Sequence, residues 1–97
     1  MALTDKQKKY LRGLAHPLKP VVHVGQAGLT PELMAELDHT LEHHELIKVR
    51  VRVKERARRD LAIAQLADQS RAELVTRIGN IAVLYRRRDE SPHIALP

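Results

Sequence analysis

From Leu46 to Lys54 every second residue is aliphatic: Ile47, Val49, Val51 and Val53 alternate with Lys48, Arg50, Arg52 and Lys54. A period of two over this length is a half-buried β-strand, with one face in a core and the other bearing four cations. Like charges along one strand face repel unless solvent or an anion screens them. The chain must therefore build a sheet around this strand and leave its cationic side facing water or an anionic partner. A single strand is not stable alone, so the remaining segments must supply its neighbours and its cover.

The neighbours can be read from punctuation. Val21-Val22-His23-Val24 is a short β-branched run that stops at Gly25-Gln26-Ala27-Gly28, after which Leu29-Thr30-Pro31 opens a helix. Thr30 suits the N-cap and Pro31 the first helical position, where no amide hydrogen is missed. A strand, a Gly-x-x-Gly turn and a helix start bring backbone N–H groups and a positive dipole end to one spot, the plan of an anion site. An identical pattern also serves as a plain strand-to-helix turn.

The first helix is expected to start at Thr4, with Gln7 three residues on as in a capping box, and to end by His16 because Pro17 follows. Its inward stripe is Leu11, Leu14 and Ala15. Residues 31–43 form a second helix with Leu33, Met34, Leu37 and Leu41 on one arc, as an amphipathic helix requires. Residues 57–69 form a third, with Leu61, Ala64, Leu66 and Ala67 inward and Ile63 at the margin. Two last strands, 72–78 and 81–86, meet at Gly79-Asn80, a two-residue hairpin loop. That loop sets Ile78 opposite Ile81, Thr76 opposite Val83 and Leu74 opposite Tyr85, all six on the core side, leaving Val75, Arg77, Leu84 and Arg86 on the other. Residues 87–97 are a polar tail in which His93-Ile94-Ala95-Leu96 suits a short edge segment.

The expected order is αβαβαββ, a single α+β domain over residues 1–97 with its core in 3–88. It is a two-layer sandwich: one four-stranded mixed sheet, helices mainly on one face, the other face open.

The chain has 97 residues, 17 Lys and Arg against 12 Asp and Glu, and no cysteine. The absence of cysteine excludes disulfides and thiolate metal sites and suits a cytoplasmic protein. No stretch has the length or apolar character of a membrane span. Basic residues cluster in 1–20, 48–59 and 86–88, while 32–45 hold five acidic residues and no Lys or Arg. Such segregation suggests a polyanion met by one part of the surface. No catalytic constellation is visible: Ser70 and Ser91 lack a His–acid context, and neither phosphate-loop nor dinucleotide fingerprint occurs. Glu36, His39 and His43 share a helix face, but nothing completes a metal set. No cofactor, metal or small-molecule substrate is expected. With Tyr10 and Tyr85 as the only aromatics besides histidine, a platform that stacks successive bases is poorly supplied, which leaves reading of a nucleic-acid backbone.

Four blocks together resemble a known family. They are Leu11 through Pro20, Gly25 through Thr30, Glu42 through Val49, and Ile78-Gly79 with Val83 through Arg86. In this order they resemble the YhbY family, bacterial stand-alone versions of the CRM (chloroplast RNA splicing and ribosome maturation) domain, over about residues 3–88. The resemblance implies a fold similar to the C-terminal domain of translation initiation factor 3. It also implies RNA binding without catalysis, and association with ribosomal RNA in large-subunit precursors. The family's Gly-x-x-Gly loop is compared with the RNA-clamping loop of KH domains and falls on Gly25-Gln26-Ala27-Gly28; here its centre carries no cation. The expected RNA contacts are therefore Gly25, Gln26, Ala27, Gly28, Leu29 and Thr30 with Lys8, Lys9, Arg12, Lys19, Lys48, Arg50 and Arg52. An alternative is a protein-interaction module that docks on a basic ribosomal protein through the acidic face of the second helix, Glu32, Glu36, Asp38 and Glu42.

Overall fold

In a computed structural model, which describes residues 2–97, the elements run α1 (Asp5–Ala15), β1 (Pro20–Val24), α2 (Pro31–His44), β2 (Leu46–Val51), α3 (Arg56–Ser70), β3 (Glu73–Ile78) and β4 (Ile81–Tyr85). The caps form as their residue types dictate. The Thr4 hydroxyl accepts from Gln7 N–H at 3.1 Å and Gln7 Oε1 accepts from Thr4 N–H at 3.0 Å. Thr30 Oγ1 accepts from Leu33 N–H at 3.2 Å, with Pro31 in the first turn.

The four strands make one mixed sheet of order β1-β2-β4-β3, with β1 parallel to β2 and β4 antiparallel to both its neighbours. The last strand thus inserts between β2 and β3. At the hairpin Gly79 sits at φ 59° and Asn80 is not left-handed, the pattern of a type II′ loop. Leu37 and Leu41 of α2 and Ala62, Ile63 and Leu66 of α3 cover one face, against Val22, Val24, Ile47, Val49, Val51, Ala82 and Leu84.

Several expected orientations change because the sheet is covered on both faces. A second core joins Leu11 and Ala15 of α1 to Leu46, Val75, Val83 and Tyr85, with Ile94 and Leu96 of the tail packed on it. Alternation along β3 and β4 therefore no longer separates inside from outside. Ile78 and Thr76 do face Ile81 and Val83, but an irregularity between Leu74 and Thr76 pairs Leu74 with Leu84 and Glu73 with Tyr85. That extra residue moves Val75 into the second core; Leu84, paired with Ile47 of β2, is fully buried in the first, and Ile78 is 62% exposed. The α1 seam is Leu11 and Ala15 alone, an i,i+4 pair, and Leu14 stands off it at 40% exposure. Helix α3 is turned about one position from expectation: Ala62 and Ile63 are buried, Ala64 is exposed and Leu61 is 58% exposed. Small Ala62 and Ser70 lie on the inward side of the helix with Ile63 and Leu66.

The tail forms no edge strand. It folds back onto Glu45, the C-cap of α2, whose side chain is fully buried and whose φ is 60°. Glu45 Oε2 accepts from Arg88 N–H at 2.9 Å, and Oε1 accepts from His93 N–H at 2.6 Å and Ile94 N–H at 3.0 Å. Burial pulls this carboxyl's pKa up. The three amide hydrogen bonds and the nearby His93 outweigh that and hold it below its ordinary value. Beside it the Tyr85 hydroxyl is buried with no hydrogen-bond partner among the described residues, and burial and the Glu45 charge raise its pKa. Tyr85→Phe removes that unmatched polar atom without opening a cavity, so stability is expected to rise by about 1 kcal/mol in urea melts.

Candidate nucleic-acid interface

The Gly-x-x-Gly turn closes at the end of β1, where Gly28 N–H donates to Gly25 O at 3.0 Å across Gln26 and Ala27. Gly28 takes φ 76°, which a side chain resists, and Thr30 N–H donates back to Gly28 O at 3.1 Å. The amides of Gly28 and Thr30 thus serve the turn itself, and Gln26 and Ala27 form its exposed tip. Leu29 packs against the main core.

The turn is braced by the segment after β2. Gln26 Oε1 accepts from Lys54 N–H at 2.8 Å, and Gln26 Nε2 lies 3.5 Å from Glu55 Oε1. Arg58 Nη2 donates to Gln26 O at 3.0 Å while its Nη1 pairs with Glu55 at 2.8 Å. The hydrogen bond from Gln26, with Arg58 beside it, lowers the Glu55 pKa. The turn lacks a cation of its own, yet the start of α3 brings a guanidinium to its backbone. Sequence reasoning missed Arg58; the basic run 48–59 held the signal, but which of its members meets the turn depends on the α3 docking angle.

Cross-strand register arranges the second sheet face in rows. The row nearest the turn is His23, Arg50, Ile81 and Ile78; the next is Pro20, Lys48, Val83 and Thr76. Helix α1 lies over the far rows, through Leu46, Val75, Val83 and Tyr85. Its C-terminus stops at the second row, where Lys48 Nζ donates to His16 O at 3.3 Å. The face is thus not open throughout, as alternation alone suggested; the open part is the strip between the end of α1 and the turn. Arg52 extends the line, its N–H donating to Val24 O at 2.7 Å beside Gly25. Same-face residues on β2 lie about 6.6 Å apart, so Lys48, Arg50 and Arg52 form a ladder leading to the turn.

Pairing separates the cations into two groups. Arg77 pairs with Asp60 at 2.6 Å, and Arg86, only 12% exposed, pairs with Asp38 at 2.8 Å and Glu42 at 3.5 Å. Arg59 Nη1 donates to Val53 O at 3.1 Å. In contrast, Lys8, Lys9, Arg12, Lys19, Arg50 and Arg52 have no side-chain hydrogen bond or ion pair among the described residues. Arg12 stands near Lys48 beside the strip, and Lys19 lies exposed in the connector just before β1. Lys8 is half-buried on the flank of α1, whereas Lys9 is exposed on the side of the helix away from Leu11 and does not join the strip. The acidic face of α2 is partly neutralised from within, since Asp38 and Glu42 hold Arg86. His39 and His43 pack edge to face with centroids 4.5 Å apart, and no group of three or more metal-ligating side chains converges among the described residues. No helix among them is long and apolar enough to cross a membrane.

These features define a class: a small α+β module whose distinguishing surface is a strip of unpaired cations leading to a braced Gly-x-x-Gly turn. The sequence matches the CRS1/YhbY (CRM) domain over residues 3–86, and the chain belongs to that family. It is 46% identical over 95 residues to a Haemophilus influenzae protein named RNA-binding protein, covering 98% of this chain and 95% of that one. It is 43% identical over 96 residues to a probable RNA-binding protein of Bacillus subtilis, covering 98% and 99%. The solution structure of a hypothetical Staphylococcus aureus protein, described as a candidate RNA-binding protein, superposes with a TM-score of 0.83 at 40% identity, covering 99% and 100% of the two chains.

Proposed function

We propose that this protein binds RNA without catalysing a reaction, and that its target is ribosomal RNA in precursors of the large ribosomal subunit, met in the cytoplasm. The observation that carries the reading is the set of unpaired cations, Arg12, Lys19, Arg50 and Arg52, gathered around the strip with Lys48 while Arg77 and Arg86 are held in ion pairs elsewhere. Desolvating a cation already paired gains little, whereas an unpaired one can exchange its counterion for a phosphate. The relatives named as RNA-binding proteins support the choice of RNA. The likeness to the YhbY family supports the ribosomal target.

In this reading the exposed tip of the turn lies against a phosphate through its backbone, with Arg58 at hand, and the β2 ladder neutralises the next phosphates along the strand. Contacts to backbone phosphates position the protein without reading sequence, so affinity depends on RNA shape and on salt.

The test is anisotropy titration of ribosomal RNA fragments and of duplex DNA at several salt concentrations. RNA is expected to bind more tightly than DNA, with a log–log salt slope of about 0.7–0.9 per phosphate neutralised. Equal affinity for the two overturns the reading. Ala27→Asp places a negative charge at the exposed tip of the turn, and its affinity for RNA is expected to fall about tenfold, about 1.4 kcal/mol. Its melting temperature should match that of the parent, because the site is at the surface. Undiminished affinity in that variant removes the turn from the mechanism.

A further inference from the structure

Where α1 ends, the strip deepens into a cleft of about 300 Å³ floored by Ala15, Val83, Ile78 and Thr76. We propose that this cleft receives one unpaired nucleobase of the bound RNA, an inference that rests on the RNA-binding reading above. Apart from the Thr76 hydroxyl the floor is apolar, and at 62% exposure Ile78 is the most exposed large hydrophobic side chain among the described residues. An isoleucine so placed on a sheet face, next to two valine-rich cores it does not enter, leaves apolar surface in water at a cost. The rim has the opposite character. Arg12, His16 and Lys48 border the cleft, and Arg50 stands in the row of Ile78, with Ile81 between them. An apolar floor inside a cationic rim complements one moiety in particular: a flat, weakly polar group attached to a chain of anions.

The size agrees. The volume is at the small end of ligand clefts, roughly 300–1,000 Å³, enough for a single ring system and not for a run of stacked bases. The chain has no Phe or Trp, so it is poorly supplied for the aromatic platform on which other single-strand binders stack bases. Here the sheet and the helix end form two walls instead. The Arg12 guanidinium, the His16 imidazole and the Thr76 hydroxyl, none in a side-chain hydrogen bond among the described residues, stand where the polar edge of a base would meet them. A paired base keeps that edge in its duplex and cannot enter. The cleft would therefore make the domain favour RNA with a bulged or looped-out nucleotide over a continuous duplex.

The experiment compares two RNAs of equal length, one fully paired and one with a single bulged 2-aminopurine, on the full chain and its variants. The parent is expected to bind the bulged RNA about tenfold more tightly and to change the probe's fluorescence. Ile78→Ser, at an exposed position where folding is little affected, should lower affinity for the bulged RNA five- to tenfold. Affinity for the paired RNA should stay within about twofold. Arg50→Ala should weaken both RNAs. If Ile78→Ser leaves the bulged RNA unaffected, or lowers both RNAs equally, the cleft does not hold a base, and the phosphate-binding reading stands. If the parent binds neither RNA, the RNA-binding reading itself fails. As a check that does not depend on affinity, 4-thiouridine at the bulge should crosslink to the peptides containing Arg12 or Ile78; crosslinks confined to the turn overturn the proposal.

Discussion

Glu45→Ala is expected to destabilise the protein by about 2–4 kcal/mol and to release the C-terminal tail. The carboxylate is fully buried and accepts from the backbone N–H groups of Arg88, His93 and Ile94. Removing it strips three amides of their acceptor, at about 1–3 kcal/mol for each that stays buried. Detachment of the tail lets some of them reach water and limits the loss. The same detachment uncovers the second core, on which Ile94 and Leu96 rest. Urea titration gives the magnitude, and hydrogen exchange at those three amides should show local opening well before the sheet unfolds.

Glu45→Gly separates the contributions, since the native φ of 60° is strained for Glu and free for Gly. Glycine should recover part of the alanine variant's loss in spite of lacking the carboxylate. The pH response has a fixed sign. The folded-state pKa lies below the ordinary 4.5, so the contribution is complete above pH 4.5 and is withdrawn as pH falls through the folded value. The parent should therefore lose its tail in acid, and the alanine variant should lack that transition. Unchanged exchange at Arg88, His93 and Ile94 in Glu45→Ala would show that the carboxylate does not hold the tail.

The double variant Arg50→Ala/Arg52→Ala is expected to bind RNA about 30-fold more weakly, at about 1 kcal/mol for each exposed charged contact after screening. The salt slope should fall by about two, one for each phosphate that is no longer neutralised. Neither side chain has a protein partner among the described residues, so the fold should retain its melting temperature. Arg77→Ala is the matched control. It removes the same charge, but from an ion pair with Asp60 at 2.6 Å, which lowers the Asp60 pKa through that hydrogen bond and charge. Affinity for RNA should stay within about twofold. Equal losses from Arg77→Ala and from either ladder residue would mean that net charge, and no particular strip, attracts the RNA.

Why position matters more than charge count is visible at Arg86-Arg87-Arg88. As sequence this is the densest basic run in the chain, yet Arg86 is bound to Asp38 and Glu42, and the Arg88 guanidinium is engaged by His93 within the tail, while the Arg88 backbone N–H donates to Glu45. Lys9 carries the same charge as Arg12, but the helical repeat turns it away from the sheet. Charge is a property of residues; availability depends on which acids the fold brings alongside.

Local signals determined the elements. The capping box at Thr4 and Gln7, Thr30-Pro31 before α2, the alternation around Val49 and the hairpin loop at Gly79 each act over a few residues, and each formed as expected. The four family blocks likewise lie in the sequence itself. Periodicity also set the covered faces of α2 and β2, whereas tertiary structure decided which faces of α1, α3, β3 and β4 are covered and which cations are free. Packing of α1 and the tail made a second core that buries Val75, and α2 and α3 cover the face that carries Leu84, although alternation had set both residues outside. Packing left Ile78 and Leu61 in water, and it brought Arg58 to the turn and Glu45 to the tail's amides. The last two depend on hydrogen bonds between residues 32 to 49 positions apart, and the second core on contacts between α1 and strands more distant still. No local periodicity encodes the angle at which two finished elements dock, and that angle sets which surface remains for RNA.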